Sequence, residues 1–121
     1  MTDTLLEKLY VYKAKVLKVI DGDTLQLDID LGMCVHFVEH VRLIGINTPE
    51  TYGVKKDSEE YKAGIKAKEA VISWVEGKDV IIETSKDKKE KYGRYLVKLY
   101  FDNICLNDKL ISENLAKPYF T

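Results

Sequence analysis

Apolar and polar residues alternate through most of the first half of the chain. Apolar side chains recur at alternate positions from Tyr10 to Ile20 and again from Thr24 to Ile29, a spacing typical of strands that bury one face. The intervening Asp21-Gly22-Asp23 has the composition of a turn. A second break at Asp30-Leu31-Gly32 leads into a third apolar run from Cys34 to Ile46. The first half is therefore predicted to form three consecutive antiparallel strands.

The apolar spacing changes to that of a helix after Asp57. An apolar stripe with helical periodicity runs from Tyr61 to Val75 and ends near Gly77. Asp57 followed by Glu60 resembles a capping pair, and acidic residues in a first turn interact favourably with the helix dipole. This segment is the principal helix that the sequence predicts.

The rest of the chain predicts two longer strands, a hairpin and a short helix. The predicted segments are a short strand at Val80 to Glu83, a charged loop at Ser85 to Lys91, a strand at Arg94 to Phe101, a turn at Asp102-Asn103 before Ile104 to Leu106, and a helix capped by Asn107 or Asp108 that continues through Leu115. Five strands, with one helix after the third and a short C-terminal helix, predict a β-rich α+β fold, an OB-fold five-stranded Greek-key barrel. We expect one domain over residues 10–121, preceded by an N-terminal tail over residues 1–9.

Charge and composition narrow the class of protein. The 121 residues carry 19 basic and 20 acidic side chains, a formal net charge of −1, which argues against a protein that coats nucleic acid through bulk charge. No apolar run approaches the length of a membrane span, so we expect no membrane partner, and we predict a monomer. The N-terminus lacks the apolar core of a secretion signal, which favours a cytoplasmic protein, with a secreted mature form as the alternative. Cys34 and Cys105 are predicted to be reduced and packed in strands.

Arginine is rare in this lysine-rich chain. Of the 19 basic residues only Arg42 and Arg94 are arginines, and the other 17 are lysines. Arginine suits the forked recognition of a phosphate or carboxylate, whereas lysine suits a solvated surface. Composition alone favours codon usage as the explanation, so a role for the two arginines must come from their surroundings.

Three segments contain the residue types of a catalytic or binding site, and each also has a purely structural interpretation. Asp21-Gly22-Asp23 is an ordinary turn that also offers hard oxygen ligands for Ca²⁺ or Mg²⁺. The run from Arg42 to Glu50 contains an arginine, an amide and a carboxylate, but Arg42 lies about 16 Å from Asn47 by strand rise unless the chain curves. Lys91-Tyr92-Gly93-Arg94 combines cations with aromatic rings, as in phosphate and base recognition, or is a loop entering a strand.

Together these segments resemble the staphylococcal (micrococcal) nuclease family, or thermonuclease family. The resemblance rests on Val19 to Thr24, Arg42 to Thr51 and Lys91 to Arg94, with Leu115 to Lys117 matching the family's second helix, and it covers about residues 10–121. Each motif alone is weak, but their order and combination are specific. The resemblance implies an OB-fold barrel with a Ca²⁺-dependent phosphodiesterase site that cuts DNA, RNA or both, with Mg²⁺ or Mn²⁺ as alternative ions.

The resemblance also implies the metal and water ligands of such a site. Asp23 would ligate the metal directly, Asp21 would act through a water molecule, and Thr48 would offer its backbone carbonyl. Glu50 would orient or deprotonate the attacking water. Asn47 stands where the best-known member has a second metal-ligating aspartate, so the site would keep an oxygen ligand but lose one negative charge.

The substrate contacts follow from the same resemblance. Arg42 and Arg94 would clamp the scissile phosphate, while Lys91 and Tyr92 would contact the neighbouring phosphate and nucleotide. Tyr119 or Phe120 would stack on a nucleotide. Because the charge at Asn47 is lost, the alternative function is a catalytically silent OB-fold module that only binds nucleic acid.

Overall fold

The computed structural model describes residues 8–51 and 53–119. Residues 1–7 of the predicted tail therefore lie outside the described residues. In chain order the strands and helices are β1 (Val11–Asp21), β2 (Thr24–Gly32), β3 (Val35–Leu43), β4 (Ile46–Asn47), α1 (Glu59–Val75), β5 (Asp79–Lys89), β6 (Tyr95–Phe101), β7 (Ile104–Cys105), α2 (Leu106–Ser112) and β8 (Lys117–Pro118).

Five of these strands close into a barrel. β1 pairs antiparallel with both β2 and β5, β2 pairs with β3, and β5 pairs with β6. The barrel closes where β3 and β6 run parallel, with Val41 opposite Tyr95 and Leu43 opposite Val97. This strand order, with α1 after the third strand, is that of the OB fold. The predicted fold class is confirmed.

Alternate residues of the barrel strands fill the interior. Alternation along β1 predicts that Val16 and Ile20 share the buried face, but this prediction is wrong, because Val19 is buried instead and Ile20 is only partly covered. The pairing of β1 with β2 shifts register between Val16 and Lys18, and such a bulge moves the later side chains to the opposite face. The largest fully buried side chains of the barrel strands include Leu25, Leu27, Leu43, Ile82 and Leu99.

Helix α1 begins one residue later than its capping pattern predicts. Ser58 rather than Asp57 is the N-cap, and its hydroxyl oxygen accepts a hydrogen bond from the backbone N–H of Tyr61 at 3.1 Å. The helix packs against β1 through residues spaced three or four apart. Its buried residues are Gly64, Ala67, Val71 and Val75. None of the helices in the described part of the chain is long and apolar enough to cross a membrane.

Strand β5 is longer than predicted. Most of the expected charged loop, Ser85 to Lys91, belongs to β5, which continues to Lys89 and places Lys89 opposite Tyr95. The pairing shifts register between Thr84 and Lys89, so the residues between them form a bulge. Charged side chains on an exposed bulge show no apolar alternation, which is why the sequence pattern hides this part of the strand.

Asn107 does not cap the last helix as predicted. Its buried side chain accepts a hydrogen bond from the backbone N–H of Leu99 at 3.1 Å. Its amide nitrogen donates to the backbone oxygens of Ile44 at 2.8 Å and Val97 at 3.2 Å. Asn107 therefore fastens α2 to β6 and to the turn that follows β3.

The ends of α2 also differ from the prediction. The helix begins at Leu106, directly after its N-cap Cys105, and it ends at Ser112 rather than at Leu115. The N-cap side chain makes no capping hydrogen bond. The start of α2 depends instead on the buried contacts of Asn107, which capping patterns cannot indicate.

The two cysteines are free, but they do not both pack in strands. Cys105 is partly buried at the end of β7, whereas Cys34 is exposed in the turn between β2 and β3. That turn lies at Met33 and Cys34, both with positive φ angles, because β2 continues through Gly32, where the sequence predicts the break.

Candidate active site

The turn after β1 and the end of β3 bring four predicted site residues into contact. Arg42 lies near the end of β3, opposite Thr24. Its Nη2 donates to Oδ1 of Asn47 at 3.1 Å and to Oδ2 of Asp23 at 3.5 Å. The same oxygen of Asp23 accepts a hydrogen bond from the backbone N–H of Thr48 at 3.3 Å. Asp23, Arg42, Asn47 and Thr48 therefore form one contacting group.

A turn at Ile44–Gly45 explains how Arg42 meets Asn47. The third apolar run, Cys34 to Ile46, is predicted as one strand, but the turn divides it into β3 and β4. Gly45 has a φ of 81°, a conformation that favours glycine. The chain folds back at this point, so a separation of about 16 Å by strand rise becomes a direct hydrogen bond.

Arg94 reaches the same surface from the hairpin between β5 and β6. Its Nη1 donates to Oγ1 of Thr24 at 2.9 Å, and that hydroxyl donates to Oδ1 of Asp23 at 3.2 Å. Its Nε and Nη2 form a forked pair with the two carboxylate oxygens of Glu90, each at 3.1 Å. Both arginines thus reach Asp23, Arg42 by direct contact and Arg94 through Thr24.

Glu90 is a residue of this surface that the sequence analysis missed. Its Oε1 accepts hydrogen bonds from the backbone N–H groups of Tyr92 and Arg94, each at 2.9 Å. The hydrogen bond from the Arg94 side chain is the main cause that lowers the pKa of Glu90, and the same bond raises the pKa of Arg94. Both groups stay charged at neutral pH, so Arg94 is held in position before a substrate arrives. The available signal was an acid four residues before Arg94 across the turn at Gly93.

Aromatic rings lie beside both arginines. The guanidinium carbon of Arg42 lies 5.7 Å from the ring centre of Tyr119, and that of Arg94 lies 5.6 Å from the ring centre of Tyr92. Nζ of Lys91 lies 5.1 Å from the Tyr92 ring, which is 73% exposed. Tyr119 therefore lies beside Arg42, and Tyr92 lies between Lys91 and Arg94; their contacts with a substrate stay a prediction. Phe120, the alternative to Tyr119, lies outside the described residues.

Two other predicted site residues are placed differently. Oδ1 of Asp21 accepts a hydrogen bond from Oγ1 of Thr51 at 2.9 Å, so this carboxylate ties the first turn to the loop after β4. Glu50 is exposed, two residues after Thr48. Its carboxylate forms no hydrogen bond or ion pair with the residues of ranges 8–51 and 53–119.

Helix α1 supports the loop that carries Asn47, Thr48 and Glu50. A Cβ added to Gly64 would lie 2.7 Å from the backbone oxygen of Pro49 and 2.6 Å from Cγ2 of Thr51. The loop can lie on the helix only because Gly64 has no side chain. The apolar spacing of the helix gives no indication of this role for Gly64.

Replacing Gly64 with alanine should impair the site more than the fold. Alanine improves helix propensity by about 0.5–1 kcal/mol, but its Cβ must push the backbone of Pro49 away. A displacement of this kind near a reacting centre can reduce activity by about 10²-fold. For the nuclease activity that the motif resemblance implies, we expect a large loss of rate with a small change in melting temperature. As a control, Ala63→Gly on the exposed side of the same helix should lower the melting temperature and leave the rate unchanged; equal rates for both variants would contradict the assignment.

The donor atoms around Asp23 suit a hard divalent cation. The Asp23 carboxylate and the Asn47 amide oxygen both face the cationic Nη2 of Arg42, so these two oxygens already attract positive charge at one position. Carboxylate, amide and carbonyl oxygens are the ligands that Ca²⁺ prefers. Within residues 8–51 and 53–119, no three His, Cys, Asp or Glu side chains cluster as a metal site. The donor types fit the cation, with Asp23 as the carboxylate of the contacting group.

Comparisons with known proteins place this geometry in a family. A family model described as staphylococcal nuclease homologue matches residues 40–121. A thermonuclease from Staphylococcus hyicus is 34% identical over 106 residues, which cover 88% of this chain and 59% of the relative. A thermonuclease from Staphylococcus intermedius is 37% identical over 105 residues, or 87% of this chain and 58% of the relative. The SPbeta prophage-derived endonuclease YokF of Bacillus subtilis is 31% identical over 102 residues, which cover 83% of this chain and 32% of the relative.

The family model matches part of the surface described above, and Asp23 and Thr24 lie before its first matched residue. The family model spans the end of β3 with Arg42, the loop from Asn47 to Glu50 and the hairpin with Arg94. The chain spans 59% and 58% of the lengths of the two thermonucleases. Because the family model covers more than half of the chain, the chain belongs to the staphylococcal nuclease homologue family.

Proposed function

We propose that the protein hydrolyses phosphodiester bonds of DNA, RNA or both with the help of a divalent cation. The observation that carries the proposal is the approach of the chain's two arginines to Asp23, Arg42 directly and Arg94 through Thr24. A phosphodiester under attack gains negative charge on its oxygens, and guanidinium groups held in place stabilise that charge. Family membership, with relatives named thermonuclease and endonuclease, supports the same class of reaction.

The two arginines would bind the scissile phosphate with the N–H groups that the protein does not use. A guanidinium has five N–H donors. Arg94 spends three of them on Glu90 and Thr24, and Arg42 spends three on Leu43, Asp23 and Asn47. The remaining donors of each group are available to phosphate oxygens. The orientation of both groups is set in advance, which reduces the entropy lost on binding.

Glu50 would accept the proton of the attacking water. As the water oxygen bonds to phosphorus, its proton moves to the Glu50 carboxylate, and the bond from phosphorus to the leaving oxygen breaks. That oxygen then takes a proton from solvent. An exposed carboxylate without a partner among the described residues keeps its oxygens free for this water. General-base help of this kind contributes about 10²- to 10⁴-fold in rate.

Asp23, Asn47 and the backbone oxygen of Thr48 would hold the cation, with Asp21 acting through water. When bound, Ca²⁺ supplies Lewis-acid stabilisation of the charge on the phosphate oxygens, and Mg²⁺ or Mn²⁺ could supply the same. Each Asp23 oxygen is oriented by a hydrogen bond from Thr24 or Thr48.

A cleavage assay tests the proposal. Purified protein should degrade single-stranded DNA or RNA with Ca²⁺, Mg²⁺ or Mn²⁺ present, and a chelator should abolish the cleavage. Failure to cleave either nucleic acid with any of these ions would refute the proposal. If binding persisted without turnover, the result would support a silent nucleic-acid-binding module, which the neutral amide of Asn47 favours.

Replacing Asn47 with aspartate should tighten metal binding. The change adds a carboxylate where the Asn47 amide oxygen already faces positive charge, 3.1 Å from Arg42 Nη2. Ligand charge is a main determinant of Ca²⁺ affinity, so we expect affinity to rise by about tenfold or more. Titration calorimetry with Ca²⁺ alone measures this change without reference to activity. Asn103→Asp, in the turn between β6 and β7, adds the same charge away from the site and should leave the affinity unchanged; equal affinities for the two variants would exclude Asn47 as a ligand.

A further inference from the structure

The hairpin formed by β5 and β6 carries a concentration of positive charge, of which only Lys91 belongs to the candidate site. Residues 86–91 contain four exposed lysines, in a chain whose formal net charge is −1. We call Lys86, Lys88, Lys89 and Lys91 the lysine arm. No carboxylate in the described part of the chain lies within ion-pair distance of Lys86 or Lys88. A charge concentration of this kind attracts a polyanion even when the whole protein is nearly neutral.

The two acidic residues between these lysines form hydrogen bonds with other parts of the protein. Asp87 accepts hydrogen bonds from the Tyr12 hydroxyl at 2.9 Å and from the Thr84 hydroxyl at 2.6 Å. Burial and then the hydrogen bond to Asp87 raise the pKa of Tyr12 to about 12, so the hydroxyl stays a donor. Glu90 is bound in the fork of Arg94. Both carboxylates are thus held by hydrogen bonds, and residues 86–91 keep a net charge of 4 − 2 = +2.

The lysine arm is continuous with the proposed active site. Thr84 pairs with Val97 and Lys89 pairs with Tyr95. The bulge that carries Lys86 and Lys88 therefore faces the position on β6 between Val97 and Tyr95. That position lies two residues, about 7 Å by strand rise, from Arg94. Lys91 and Arg94 border the same Tyr92 ring. A nucleic-acid strand whose phosphate lies at Arg94 therefore passes close to the lysine arm.

We propose that Lys86 and Lys88 of the lysine arm bind backbone phosphates flanking the bond that is cut. This inference rests on the proposed function and extends it from one phosphate to a longer segment of single strand. OB folds bind about 4–16 nucleotides of single strand, so a bound strand extends beyond the phosphate that is cut. Lysines contribute charge without base recognition, so the contact adds affinity and salt dependence but no sequence preference.

Binding under chelation tests the lysine arm without requiring turnover. We would measure fluorescence anisotropy of a labelled single strand of about 12 nucleotides between about 50 and 200 mM salt. Lys86→Ala/Lys88→Ala should reduce the slope of log affinity against log salt by about 1.4, since each phosphate contact on a single strand contributes about 0.7. At the lowest salt, the affinity should fall by about tenfold.

The matched control is Lys62→Ala/Lys66→Ala, which removes two exposed lysines from α1 and changes the net charge equally. It should keep the wild-type slope, and Lys86→Arg/Lys88→Arg should restore it. Equal slopes for the two alanine variants, or no binding by the wild type, would overturn the proposal. A reduced slope in the lysine-arm variant alone would support the proposal even if the protein cleaves nothing. The outcome of the binding test is therefore separate from that of the cleavage assay.

Discussion

A protein in which Arg94 is replaced by lysine is expected to cleave single-stranded nucleic acid about 10²- to 10³-fold more slowly than the wild type. Lysine keeps the positive charge but has no planar fork, so it cannot hold Glu90 through two hydrogen bonds and still contact Thr24. The group facing the phosphate would be both misplaced and unable to donate in pairs. The rate under saturating substrate, measured with Ca²⁺, gives the effect.

The control for Arg94→Lys is Lys98→Arg on the same strand. Lys98 is exposed on β6 and should tolerate the reverse exchange with an unchanged rate. The Arg94 and Glu90 side chains are only 23% and 14% exposed, so weakening their pair can also lower stability. A thermal melt of both variants separates a loss of chemistry from a loss of fold. If Arg94→Lys retained more than about a third of the wild-type rate, stabilisation of the phosphate during cleavage would not depend on the guanidinium of Arg94.

The second large effect is expected for Glu50→Gln. Glutamine has nearly the same shape but accepts no proton from water at neutral pH, so the rate should fall by about 10²- to 10⁴-fold. Substrate affinity should change little, because the Glu50 carboxylate contacts no other residue in ranges 8–51 and 53–119. A rate loss without an affinity loss is what removal of a group that acts only in the transition state produces. Single-turnover cleavage and anisotropy binding measure the two quantities.

Glu69→Gln provides the matched control for Glu50→Gln. Glu69 is exposed in the middle of α1, and its replacement changes the net charge equally without touching the loop after β4. Comparable rates for Glu50→Gln and Glu69→Gln would mean that another group activates the water.

The sequence predicts the strands and helices of the barrel correctly where the local periodicity reflects burial. β2, the end of β3 and the central part of α1 have one buried face each, so alternation and helical spacing indicate them directly. The errors occur where pairing departs from regularity. The bulge between Val16 and Lys18 exchanges the faces of β1, and the bulge after Thr84 conceals half of β5 among charged residues. A bulge depends on the partner strand and leaves no periodic signal of its own.

The candidate site divides in the same way. Motif resemblance identifies Asp23, Arg42, Asn47 and Thr48. Their contact depends on the reversal of the chain at Gly45, because strand rise alone would place Arg42 far from Asn47. Glu90 and Gly64 could not be assigned, because each acts through a neighbour brought close by the fold. Glu90 holds Arg94 across a hairpin turn, and Gly64 leaves room for a loop that lies on α1. Such supporting residues need three-dimensional contacts to be recognised.

The strand that fastens the loop of Asn47 and Thr48 is also among the last parts of the described chain to be made. Ile46 pairs with Pro118, Asn47 pairs with Lys117, and the backbone N–H of Tyr119 donates to the oxygen of Gly45 at 2.9 Å. A nascent chain emerging from the ribosome can pair all five barrel strands once β6 is free, before β8 exists. The proposed nucleolytic activity should therefore appear later than the folded barrel, so a growing chain would not act on the messenger from which it is translated until residue 119 has emerged.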